Sequence, residues 1–209
     1  MVTPLSATEF LRLDSRLAPY AQDFTVPEFP VTPQPFRHLV EAILGQQLSG
    51  KAAAAITHRL FTHLGGEDRV TPENLVETSV EDLRACGASR AKANTILDLS
   101  RHVISGALPL PIIHTLPDED VEHILTKVKG IGPWSAHMFL MFGLNRKDVW
   151  PIGDLGVRKG LQVILGLESL PDPKEVATMC EMWRPYRSSV AHLAWHVLDR
   201  KKEETSKLP

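Results

Sequence analysis

Asp154 is the carboxylate whose setting invites chemistry. It closes the string "DVWPIGD" and precedes "LGVRKGLQVIL", in which Val157, Leu161, Ile164 and Leu165 recur at helical spacing. Asp154 thus stands where that helix begins. A carboxylate there can serve as a plain cap on exposed backbone N–H groups. A fixed carboxylate can equally stabilise positive charge developing on a substrate. The second notable string is "VKGIGPWSAHMF", residues 128–139. Glycine leaves space and permits unusual backbone angles, and proline suits the first turn of a helix. The hairpin residues Lys129, Gly130, Ile131, Gly132 and Trp134 would then turn backbone N–H groups outward as a nest for an anion, typically a phosphate. The plain reading is a turn between two helices.

Aromatic residues lie near both strings. A tryptophan in a helix is usually core. Trp195 departs from that rule, because Val190, Leu193, Ala194, Val197 and Leu198 form the apolar stripe of its helix and Trp195 lies off its centre. Such a ring has room for another job, such as stacking on a flat ligand. Trp134 and Met138 follow the hairpin directly. His192 and His196 are spaced i, i+4 but lack the glutamate of a zinc-binding H-E-x-x-H, so they read as solvent or pocket-rim residues. The two cysteines, Cys86 and Cys180, are too few for a disulfide framework, a four-cysteine zinc site or a four-cysteine iron–sulfur cluster, and read as buried thiols.

The elements that must position these residues are helices. "TPQPFRHLVEAIL" carries Phe36, Leu39, Val40 and Ile43 on one face, and "SGKAAAAITHRLFTHLGG" opens on the cap Ser49 and stops at Gly65–Gly66. Thr71 and Ser79 cap further helices, another runs from Ser89 to Gly106, and a helix from Asp118 shows Val121, Ile124, Leu125 and Val128 at i, i+3, i+4, i+7. Later helices are predicted over 133–143, 155–165, 173–183 and 186–200. No stretch alternates with period two, so the class is all-α, with about ten helices. The Pro-rich stretches 27–35 and 108–117 read as connectors, and Ala52–Ala55 as a place where two helices approach closely. The 209 residues carry a net charge of −2, which announces no polyanionic partner globally. Locally, residues 127–160 hold six Lys or Arg against two acids, and residues 184–202 hold five against one. Either segment is a solvated surface or part of a phosphate-binding face. No apolar run spans a bilayer and no signal peptide is visible, so the chain reads as a soluble intracellular protein.

The strings taken together resemble the helix-hairpin-helix DNA glycosylase superfamily. "VKGIGPWSA" is similar to its hairpin pattern, "FRHLVEAILGQQLSGKAAAAI" to its first core helices, "GASRAKANTILDLS" to its G-x-S-x-x-K-A segment and "DVWPIGDLGVRKG" to its aspartate-bearing segment. "WRPYRSSVAHLAW" is similar to the ending of the 3-methyladenine DNA glycosylase II branch. The resemblance covers about residues 36–198 in family order. It implies a two-lobed all-α fold with DNA in the cleft between lobes, without the β-rich N-terminal domain of larger relatives. A middle lobe would span 36–145 with the hairpin at 118–143. Residues 1–35 and 146–209 would form the lobe carrying the aspartate.

The resemblance also implies roles. Asp154 is the catalytic residue, and Trp134, Trp195 and Met138 line the base pocket, with Met138 standing where some relatives have tyrosine. Gln47 or Leu48 is the wedge that fills the gap left by the flipped nucleotide. The hairpin residues meet the DNA backbone, and the carbonyls of Thr126, Val128 and Ile131 hold a sodium or potassium ion; no cofactor is required. Strand-cutting relatives carry a lysine at the position of Trp134, so a monofunctional enzyme is expected, excising alkylated bases such as 3-methyladenine or 7-methylguanine from duplex DNA. The expected partner is double-stranded DNA with a damaged base, met by a monomer with no membrane contact, in a bacterial cytoplasm or a eukaryotic nucleus. The competing readings are a hairpin protein that binds DNA without catalysis, with Asp154 only a cap, and a helical interaction protein with no nucleic-acid role.

Overall fold

The structure, a computed structural model, describes residues 5–206, with side chains through Lys202. Among these residues every regular element is helical: α1 Ala7–Leu13, α2 Ala18–Ala21, α3 Pro35–Gly45, α4 Gly50–Leu64, α5 Pro72–Val76, α6 Val80–Ala85, α7 Arg90–Ile104, α8 Asp118–Leu125, α9 Pro133–Met138, α10 Leu155–Ile164, α11 Pro173–Met179 and α12 Arg187–Ser206. The all-α expectation holds, and among the described residues no helix is long and apolar enough to cross a membrane. The caps fall where short-range chemistry puts them. Ser49, Thr71, Ser79, Ser89 and Asp154 each accept a backbone N–H from the first turn of the helix they open.

The chain divides into two compact units, residues up to Phe29 with Asn145 onward, and Pro30–Leu144. The second begins before the expected position 36, because the extended strap before α3 belongs to it: Thr32 N–H donates to Gly143 O at 2.8 Å. In this unit Phe36, Leu39, Val40 and Ile43 of α3 are buried, as are Ile96 and Leu99 of α7 and Val121 and Leu125 of α8. Each buried side chain of that size contributes roughly 1.5–3 kcal/mol. The stretch 108–117 connects α7 to α8, as expected, through a 3-10 turn at Leu110–Thr115 that buries Leu110 and Ile113. The expectation for Ala52–Ala55 narrows to one residue. Ala54 and Ala55 are exposed, and the close approach of α3 and α4 comes from Ala53, whose Cβ lies 3.7 Å from where a Cβ on Gly45 would sit. The expected helix over 133–143 is α9 followed by a π-helical turn, Phe139–Gly143.

The other unit holds α1, α2 and α10–α12. Neither α1 nor α2 was predicted, although Ser6 and Glu9 form a capping box ahead of α1. Its core contains Trp150 and Trp183, both buried, with ring centroids 6.2 Å apart. The Trp183 indole N–H donates to Asp14 Oδ2 at 3.2 Å. α10 and α12 pack at close range because Gly160 has no side chain: a Cβ there would overlap the Ala194 carbonyl oxygen and lie 2.7 Å from Ala194 Cα. Val157 and Leu161 of α10 and Val190, Leu193 and Ala194 of α12 are buried.

Candidate active site

Asp154 and Trp195 come together in the unit built on α10 and α12. Asp154 is the N-cap of α10, and its Oδ1 accepts the Val157 N–H at 2.7 Å. The same oxygen accepts the Trp195 indole N–H at 2.9 Å. Gly156 makes room for this meeting. A Cβ there would stand 2.9 Å from Trp195 Cδ1 and 3.1 Å from Asp154 Oδ1. Both groups are half-buried. Two donors thus aim a carboxylate at the positive end of a helix dipole, beside an aromatic face. A structural cap needs only the first donor; the second reaches across from α12.

His192 completes the cluster, and of its two sequence readings the geometry favours the pocket rim over solvent: its ring lies edge-on to Trp195 at 5.4 Å and 5.8 Å from Phe29. Burial, with a smaller contribution from the Lys147 charge, lowers its pKa from 6.5 to about 4. It is a neutral imidazole at physiological pH, buttressing the ring that faces Asp154. His196 packs against Phe24 at 5.0 Å. Among the described residues no group of His, Cys, Asp and Glu could hold a metal ion. Cys86 and Cys180 are free and buried, as expected, and burial raises the Cys180 thiol pKa to about 11.

The other sequence candidates lie in the hairpin unit. Gly130 has φ +93, and a Cβ there would overlap Thr95 Oγ1 with Thr95 Cβ at 3.1 Å, so only glycine fits. The Lys129 N–H does not point to an external anion: it donates to Asp98 Oδ2 at 2.8 Å, and the Ile131 N–H donates to Val128 O at 3.0 Å. The amides left open to an anion are therefore fewer than expected: those of Gly130 and Gly132 have no acceptor among the described residues, and α9 starts beside them. Ile131, between the two glycines, is buried. The Glu122 carboxylate meets His137 Nε2 at 3.1 Å and ties α8 to α9. Thr126, Val128 and Ile131 lie in the turn, where carbonyl oxygens suit a hard cation such as sodium or potassium; Val128 O keeps a second lone pair beyond its Ile131 bond.

Trp134 is 43% exposed at the start of α9, and Met138, one turn on, is half-buried. Gln47 and Leu48 sit at the tip of the loop between α3 and α4, both exposed, with Gln47 in the left-handed region at φ +57. Gln46 anchors the loop by donating from Nε2 to Ser135 Oγ at 3.1 Å. The positive charge of residues 184–202 is partly cancelled. Arg184 and Arg187 both pair with Asp148 and Glu181, at 2.7–2.9 Å, and so brace the start of α12. The composition of residues 184–202 could not show this, because Asp148 and Glu181 both lie outside that stretch. Asp98 and Thr95 were not singled out as site residues by sequence; each acts through a hairpin partner distant in the chain.

The family pattern of HhH-GPD superfamily base excision DNA repair proteins matches residues 40–185. The chain belongs to this superfamily. Within it, the chain falls in the 3-methyladenine DNA glycosylase II branch. It is 34% identical over 163 residues to DNA-3-methyladenine glycosylase 1 of Schizosaccharomyces pombe, covering 78% of this chain and 72% of that protein. The solved structure of the S. pombe 3-methyladenine DNA glycosylase in complex with abasic DNA matches at TM-score 0.80 and 32% identity, covering 97% of each chain. A DNA-3-methyladenine glycosidase from Bacillus halodurans matches at TM-score 0.83 and 34% identity, over 98% of this chain and 94% of the other. The fold also extends to an 8-oxoguanine glycosylase/lyase from Clostridium acetobutylicum, at TM-score 0.74 and 17% identity, over 94% of this chain and 70% of that one. The fold therefore carries different chemistries, and the site must separate them.

Proposed function

We propose that this protein is a monofunctional DNA glycosylase that removes alkylated bases from duplex DNA by hydrolysis. The observation that carries the proposal is the Asp154 carboxylate, held by Val157 N–H and by the Trp195 indole N–H from another helix. In its unit Trp195 offers the face on which the flipped base stacks; in the hairpin unit Trp134 and Met138 offer apolar surface to the DNA, and Gln47 and Leu48 fill the gap in the duplex. An N-alkylated purine is cationic, so its N-glycosidic bond breaks with the electron pair passing to the base. Positive charge then builds on the deoxyribose, where the Asp154 carboxylate stabilises it. Water adds to the sugar carbon and gives up a proton. The hairpin amides of Gly130 and Gly132 hold backbone phosphate. A sodium or potassium ion on the Thr126, Val128 and Ile131 carbonyls would add positive charge at that contact.

Absence of a lyase step rests on Trp134. Its position is where strand-cutting relatives place an amine nucleophile, and an indole cannot form a Schiff base. The test is incubation with methylated duplex. Free 3-methyladenine or 7-methylguanine should appear, with an intact strand at the abasic site and no adduct trapped by borohydride. Trapped adduct would overturn the monofunctional assignment. Duplex binding without release of any damaged base would leave a non-catalytic DNA-binding protein.

A further inference from the structure

Lys92 lies at the first turn of α7, in neither the catalytic cluster nor the hairpin. Its Nζ is 2.7 Å from Leu44 O and 2.7 Å from Gln46 O, and it is half-buried. These carbonyls end α3, where the helix leaves acceptors without intrahelical donors and carries negative dipole charge. Burial pulls the lysine pKa below its usual range, yet the ammonium remains the form that donates to both oxygens. The next residue is Gln47, in the left-handed region, followed by the exposed Leu48. The loop resumes at Ser49, the cap of α4.

The same helix supports the hairpin. Thr95 packs under Gly130, and Asp98 accepts the Lys129 N–H. Lys92 and Asp98 are six residues apart, roughly 9 Å along a rigid helix. One element therefore sets the spacing between the loop tip and the phosphate-binding turn.

We propose that Lys92 is a positioning residue for DNA interrogation: by clamping the end of α3 to α7, it presents the Gln47–Leu48 tip at a fixed distance from the hairpin, ready to enter the duplex. The inference rests on the proposed reading of that loop as the wedge. A tip that is already ordered does not lose conformational freedom on insertion, and a displaced tip misses the gap.

The test uses the full chain and a duplex with 2-aminopurine beside an abasic-site analogue. Fluorescence reports unstacking and anisotropy reports binding. Wild type should give a fluorescence rise at saturation. Lys92→Met keeps the aliphatic stem and should cut that rise by about 5-fold or more, while Kd changes less than about 3-fold. Lys92→Arg should restore at least about half of it. A loss of folded fraction alone would leave the signal at saturating protein unchanged. Should the methionine variant not fold, Lys92→Gln, with one donor group for two carbonyls, should give an intermediate rise. An unchanged rise in Lys92→Met, or no recovery with arginine, overturns the proposal, as does wild-type binding with no rise. Unstacking without base release from methylated duplex would defeat the glycosylase reading and leave this inference standing. No binding by wild type would defeat both.

Discussion

Replacing Asp154 by asparagine separates the two jobs of its carboxylate. Asparagine keeps an oxygen where Oδ1 sits, so Val157 N–H and Trp195 Nε1–H, now at 2.7 and 2.9 Å, retain their acceptor. Asparagine and aspartate cap helices about equally well, so stability should change by about 0.5 kcal/mol or less. The lost component is the full negative charge. A sugar carbon carrying most of a positive charge about 4 Å away gains about 4 kcal/mol at an effective dielectric of 20. At 1.36 kcal/mol per tenfold, base release should slow roughly 10³-fold. Asp154→Ala should lose the same rate factor, plus about 1 kcal/mol for the cap and about 1 kcal/mol for a half-buried indole N–H without its acceptor. The assay is single-turnover release of methylated purine from duplex DNA, with anisotropy for binding and urea unfolding for stability. Release by Asp154→Asn within about tenfold of wild type would refute the electrostatic role. Equal destabilisation by asparagine and alanine would refute the shared-acceptor geometry.

Trp195→Phe keeps an aromatic face but removes the indole donor to Asp154; a hydrogen bond to a charged group is worth about 1.5–3 kcal/mol, so single-turnover release should fall roughly 10- to 100-fold with binding retained. Gly130→Ala adds a left-handed alanine and an overlap with Thr95, so thermal unfolding should show a loss of about 2–4 kcal/mol, and Thr95→Ala in the same chain should recover part of it. His192 should make the protein acid-sensitive. The unfolded chain takes up its proton near pH 6.5 and the folded chain only near about 4, so stability is full above 6.5 and falls as pH drops through that window. The loss is about 3 kcal/mol at most, and His192→Leu should flatten the urea-unfolding profile between those pH values. A steeper profile in the leucine variant would show that another group governs the acid limb.

Much of the helix framework was legible because its signals are local. Ser49, Thr71, Ser79, Ser89 and Asp154 each satisfy the N–H group three residues on, and the faces of α3, α8 and α10 repeat with the helical period. α1 escaped notice although its Ser6–Glu9 capping box is equally local. Family strings pointed to Asp154, Trp134, Trp195 and the Gln47–Leu48 tip, without saying what holds them.

The sequence by itself determined the all-α class, the hairpin, the cap at Asp154 and the absence of an amine at position 134, because each depends on neighbours in the chain or on residue type alone. Only the tertiary structure decided the partners. Trp195 reaches Asp154 from 41 residues away because Gly156 and Gly160 let α10 and α12 close on each other. Asp98 takes the Lys129 amide that the hairpin pattern alone assigns to a phosphate. Arg184 and Arg187 spend their charge on Asp148 and Glu181. His192, polar by type, is neutral against Trp195 because packing removes its water. Contacts of this kind depend on how closely two helices approach, and that distance is set by volume in three dimensions, not by spacing along the chain.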